Sequence, residues 1–135
     1  MNNILFIITG SIAASRCKEI ITLLCNKEVK ISCILTKEAK KYIKISDIKK
    51  LLKNRIFTDE DEKKNKMLHI NLSRDNDMIV VCPATANSIA KFANGYGDNL
   101  SSNTLLASNK KILFVPAMNS FMWHNKINQK NVRLL

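Results

Sequence analysis

The sequence predicts an α/β protein built on an open, doubly wound parallel sheet, with helices on both faces in a three-layer α/β/α arrangement. Two observations carry that prediction. Four short, continuous apolar runs, at residues 4–9, 29–35, 78–82 and 112–115, read as strands buried on both faces. Helical segments separate them, and strands joined by helices pair in parallel through right-handed crossovers. At 135 residues and 46% hydrophobic composition, the chain suits one domain over 1–135 with a single core.

The elements follow in order. The first strand ends at Gly10, and Ser11 opens "SIAASRCKEIITLLCNK", whose apolar residues recur at helical spacing. After the second strand, Thr36 is placed to cap "KEAKKYI", and Ser46 to cap an amphipathic helix through about Asn54. The stretch "TDEDEKKNK" is almost wholly charged and reads as an exposed loop. The third strand, "MIVVC", is expected to stop at Pro83, before a helix "TANSIAKFANG" that Gly95 terminates. A further helix covers "NLSSNTLLAS", and the fourth strand is expected to stop at Pro116.

Composition excludes several classes. The four cysteines, Cys17, Cys25, Cys33 and Cys82, match neither a zinc pattern nor a C-x-x-C pair, so buried free thiols are expected and no metal. The formal charge of +11 would attract phosphate backbones. Its lysines, however, are spread along the chain and interleaved with acids, and no aromatic-rich strand is available to stack bases, which argues against nucleic acid. No run approaches the roughly 18 apolar residues of a membrane span, and the start lacks a basic signal region, so a cytoplasmic protein is expected.

In open α/β sheets the ligand lies beyond the carboxyl ends of the strands. Those ends read "TGSIAAS", "TKEA", "PATANS" and "PAMNS". Hydroxyl and amide side chains stand there beside small residues, at helix starts whose free N–H groups favour an anion. "GSIAAS" lacks the later glycines of G-x-G-x-x-G, and no P-loop is present, so a single phosphate, as in a mononucleotide such as FMN, suits the loops better than a pyrophosphate. For any one of these side chains, capping alone explains its presence as well as ligand contact does. Of the two histidines, His124 lies in a polar run and is expected to be exposed, whereas His69 precedes the third strand and can project toward the ligand edge.

Together "GSIAAS", "FTDEDE" followed by "LHINL", "PATANSIAKFANGYGDNL" and "PAMNSFMW" resemble, in order and over nearly the whole chain, the flavin-dependent cysteine decarboxylases, a family of Rossmann-like flavoproteins. The resemblance is greatest to the phosphopantothenoylcysteine decarboxylases of the eukaryotic type. It implies FMN as cofactor, with Gly10, Ser11 and Ile12 in the first flavin loop and Thr36 in the second. Thr85, Ala86, Asn87 and Ser88 match the segment that holds the flavin, with Ala117 beside it. His69 matches the catalytic base and Asn119 the residue that binds the substrate carboxylate.

The implied reaction is FMN-dependent decarboxylation of 4′-phosphopantothenoyl-L-cysteine to 4′-phosphopantetheine in coenzyme A biosynthesis. The cysteinyl thiol is oxidised, CO2 is lost and the product is re-reduced. The resemblance also implies a homo-oligomer, a trimer or a multiple of one, with flavins at subunit boundaries and "GYGDNL" at contacts. Members carry a Cys- and Gly-containing clamp after this region, and no cysteine here matches it, so the chain is expected to be truncated. A non-catalytic FMN-binding regulator, similar to the phosphatase-inhibitory relatives of this fold, is the alternative.

Overall fold

The computed structural model of the protein describes residues 2–53 and 55–135, and Asn54, the expected end of one helix, lies outside them. Five parallel strands form one sheet in the order β3-β2-β1-β4-β5: β1 (Asn3–Ile8), β2 (Lys30–Leu35), β3 (Ile56–Phe57), β4 (Met78–Ala84) and β5 (Lys111–Pro116). Alternation along β1 sorts the core onto two faces. Phe6 and Ile8 point into a cluster with Ile21, Cys33, Ile48 and Leu52, covered by α1 (Cys17–Cys25) and α2 (Ile45–Leu52). Leu5 and Ile7 point into the opposite cluster with Leu68, Ile79, Ile89 and Leu100. That second face is covered by α4 (Leu68–Arg74), α5 (Ala86–Ala93) and α6 (Leu100–Ala107). The three-layer, doubly wound arrangement is the expected one.

Several local expectations are corrected. Thr36 does not start an α-helix. Its hydroxyl accepts from the Ala39 N–H at 3.3 Å and closes a 3-10 turn over Ala39–Lys41, buried only through Ala39. Ser46 does not cap α2, which begins one residue earlier, after Lys44, without a side-chain cap. The charged stretch is not a loop. Residues 56–57 add β3 at the sheet edge, and Thr58 forms a capping box with Asp61 that starts α3 (Asp59–Lys64). Acids in that first turn complement the helix dipole, which the loop reading overlooked.

Pro83 does not stop β4. The strand continues to Ala84 because pairing with β1 ends at Val81, and the β4–β5 register shifts between Val81 and Ala84. A residue without an N–H costs nothing where the ladder is already broken. Pro116, by contrast, ends β5 as expected, and it pairs with Ala84. That strand is not buried on both faces, for it lies at the sheet edge, with Leu113 and Val115 exposed and only Ile112 and Phe114 packed inward. Beyond it the chain forms α7 (Ser120–His124) and α8 (Lys126–Leu134), neither of them expected, and α8 packs on α5.

Candidate functional site

The strand order reverses between β1 and β4, and a cavity of about 330 Å3 opens there, beyond their carboxyl ends. Its walls come from four loops and two helices. Thr9, Gly10 and Ser11 follow β1, and Thr36 follows β2. Thr85, Ala86, Asn87 and Ser88 follow β4, and Ala117 and Met118 follow β5. The Thr9 hydroxyl donates to the Pro83 carbonyl and joins the two central loops.

Each wall is fixed by local chemistry. Ser11 accepts from the Ala13 N–H at 3.2 Å and so caps the 3-10 turn (Ile12–Arg16) that leads into α1. Thr85 caps α5 by accepting from the Ser88 N–H at 3.1 Å, and its hydroxyl lies 2.9 Å from the Ser88 hydroxyl. The Ala86 and Asn87 N–H groups in that first turn have no partner within the helix, as at any helix start. Gly10 is required by close approach, since a Cβ there would collide with Glu38 Cβ on the neighbouring turn.

The structure thus brings together Gly10, Ser11, Thr36, Thr85, Ala86, Asn87, Ser88 and Ala117 around one cavity. Three expected residues stand apart from it. Ile12 is 79% exposed and does not line the cavity. Asn119 is exposed just past Met118 and caps α7, its Oδ1 accepting from the Met122 N–H at 2.9 Å. His69 lies in the first turn of α4, on a helix packed against α6, and its Nδ1 is 3.1 Å from Glu62 Oε1. It does not reach the cavity of its own chain. His124 is exposed, as expected.

Other wall residues were not foreseen, among them Ser101, Ser102 and Leu105 of α6 and Lys91 and Phe92 of α5. Ser102 is buried in a capping box with Asn99, so its hydroxyl reads in sequence as an ordinary cap. Lys91 is tied to Asp98 at 3.0 Å, and that contact holds the Asp98 carboxyl below its usual range. The thiols take no part in the cavity wall. The hydrogen bond shared with Cys82, then burial, pushes the Cys17 thiol up, and burial alone pushes Cys33 up, so both remain protonated packing groups.

The donor set fits a flavin mononucleotide. Hydroxyls and free helix N–H groups suit a phosphate, while Ala86, Ala117, Met118, Phe92 and Leu105 offer apolar surface to a ring. An open α/β sheet with a cavity at its switch point is a Rossmann-like architecture. Over residues 1–135 the chain matches the Flavoprotein family, and it belongs to that family.

The chain is 31% identical over 136 residues to a probable phosphopantothenoylcysteine decarboxylase of Streptococcus mutans, covering 98% of this chain and 76% of that one. It is 30% identical over 135 residues to the coenzyme A biosynthesis bifunctional protein CoaBC of Bacillus subtilis, covering 98% of this chain but only 33% of that protein. Among solved structures, the FMN-dependent cysteine decarboxylase SpaF superposes with a TM-score of 0.93 at 30% identity, over 100% of this chain and 79% of that one.

Proposed function

We propose that the cavity binds FMN and that the chain catalyses decarboxylation of 4′-phosphopantothenoyl-L-cysteine in coenzyme A biosynthesis, yielding 4′-phosphopantetheine when the reaction is completed. The observation that carries this reading is the switch-point cavity, walled by the strand-end loops that carry Gly10, Ser11, Thr36, Thr85 and Ala117, in a chain of the Flavoprotein family. FMN, when bound, supplies the electron sink that loss of CO2 from a cysteinyl carboxylate requires.

This chain's residues do the rest. The N–H groups of Ala86 and Asn87, with the hydroxyls of Ser11, Thr36, Thr85 and Ser88, hold the phosphate and the ribityl chain. Gly10 and Ala117 keep the walls close enough for a flat ring to lie against them. The Asn119 amide group donates to the substrate carboxylate and orients it without adding a second charge. His69 moves the proton of the reacting thiol at Nε2.

A homo-oligomer, a trimer or a multiple of one, belongs to the same proposal. His69 does not line the cavity of its own chain, so in this reading the proton-transfer group of one copy serves the cavity of another. Exposed Ile12 and Phe121, the latter 89% exposed, supply apolar surface for that contact. Light scattering is expected to give an oligomer, and a stable flavin-loaded monomer would contradict it.

The test is the His69→Asn variant, which is expected to keep its flavin and release no CO2 from the substrate. Normal turnover by that variant would remove His69 from the chemistry. Bound FMN in the wild-type chain without any CO2 release would instead favour the regulatory alternative.

A further inference from the structure

We propose that Glu62, held by Asn103, is the positioning residue of His69: it accepts a hydrogen bond from Nδ1–H and so leaves Nε2 as the atom that exchanges protons. This rests on the reading of His69 as the proton-transfer group.

The acidic helix α3 is tied to α6 by two contacts in register. Asp59 Oδ1 accepts from the Leu100 N–H at 3.0 Å, and three residues further along both helices Glu62 Oε1 accepts from Asn103 Nδ2 at 3.2 Å. Residues three apart share a helix face, so the two contacts fix the rotation of α3 against α6. Asn103 Oδ1 lies against Gly97, where an added Cβ would stand 2.5 Å from it. The Asn103 amide thus holds the Glu62 carboxylate beside the imidazole.

His69 Nδ1 lies 3.1 Å from Glu62 Oε1, with the two side chains only 26% and 20% exposed. Nδ1 is buried and has no aligned hydrogen bond to any described residue. A buried ring nitrogen left unpaired is costly, and the carboxylate at this distance is the group able to satisfy it after a small rotation. Such bonds are commonly loose in ligand-free sites and tighten when substrate binds.

The chemistry then fixes the tautomer. A carboxylate only accepts, and a neutral imidazole carries one N–H, so the nitrogen facing Glu62 holds the proton and Nε2 keeps the lone pair. When Nε2 takes a proton, the Glu62 carboxylate lies beside the cation that forms.

The test uses flavin-loaded protein with 15N-labelled histidine, reading the His69 ring nitrogens in wild type, Glu62→Leu and Glu62→Gln. The wild type is expected to show the Nδ1–H tautomer and Glu62→Leu to lose it, with Tm and flavin content held. Glu62→Gln, which keeps an acceptor oxygen, is expected to restore it in part. Turnover is expected to follow the tautomer, kcat falling about 10- to 100-fold in Glu62→Leu with KM little changed. Should Glu62→Leu fail to fold, Asn103→Ala, which frees Glu62 Oε1, is read for the same loss.

An Nε2–H tautomer in the wild type, or one unchanged in the leucine variant, would overturn the proposal. The two readings separate cleanly. If His69→Asn keeps its turnover while the tautomer still responds to Glu62, the pairing stands and the proton-transfer reading falls. If His69→Asn is inactive while Glu62→Leu is fully active with its tautomer unchanged, the reverse holds.

Discussion

Gly10→Ala adds one methyl group where the β1 and β2 loops meet. Its Cβ would overlap Glu38 Cβ and lie 3.1 and 3.3 Å from the Glu38 carbonyl carbon and Cα, which are backbone and cannot swing aside. The two loops must part. Overpacking of this kind costs about 1–3 kcal/mol. With an unfolding entropy of about 2.1 cal/mol/K per residue over 135 residues, 2 kcal/mol lowers Tm by about 7 °C. Both loops wall the cavity proposed to bind FMN, so if binding must restore about 1–2 kcal/mol of closure, the FMN Kd is expected to rise about 5- to 30-fold. The assays are thermal unfolding of the flavin-free protein and titration with FMN.

Gly95→Ala is the control, because Gly95 has a φ of +72° but nothing lies within 4 Å of the position an added methyl group would take. Left-handed strain there costs about 1–2 kcal/mol and is expected to lower Tm without weakening FMN binding. A Gly10→Ala protein with wild-type Tm and wild-type FMN affinity would refute the close approach of the two loops.

Thr85→Ala removes the cap of α5 and is expected to cost about 1 kcal/mol, read by urea unfolding, together with weaker FMN binding. Phe114→Ala deletes a partly buried ring whose centroid lies 5.4 Å from that of Phe92 on the cavity wall, and a loss of about 2–3 kcal/mol is expected in the same assay. The Asn3 and Asn2 N–H groups donate to the Asp77 carboxylate and hold it below its ordinary value near 3.8. A depressed carboxyl stabilises the fold above that value and loses its effect as pH falls through the folded value. Asp77→Asn is therefore expected to flatten the acid limb of stability below about pH 4, measured by unfolding at a series of pH values.

The sheet was legible because its central strands are continuous apolar runs, and β1, β2 and β4 each bury both faces against helices. The cavity loops were legible because small and hydroxyl residues stand at the carboxyl ends of those strands. What escaped was set by contacts distant in sequence. β3 is two residues long and exists only because Cys33 and Ile34 offer it an edge. The charged stretch is the exception, since the Thr58–Asp61 capping box that starts α3 is local and readable, and the contacts of Asp59 and Glu62 with Leu100 and Asn103, 41 residues later, only dock the helix. Pro83 reads locally as a stop, yet the bulge that accommodates it depends on β5. α8 packs only Val132 on the core and otherwise buries Asn128 and Asn131, with Asn131 Oδ1 accepting from Asn94 Nδ2 and Asn128 donating to the Met122 carbonyl. Periodicity cannot reveal a helix that packs through asparagines.

The central claim is that this flavin cavity, with His69, removes CO2 from a cysteinyl carboxylate. The most direct measurement is CO2 release from 4′-phosphopantothenoyl-L-cysteine by FMN-loaded wild-type and His69→Asn proteins at equal flavin content. The account predicts release by the wild type and none by the variant. No release by either protein, or equal release by both, would contradict it.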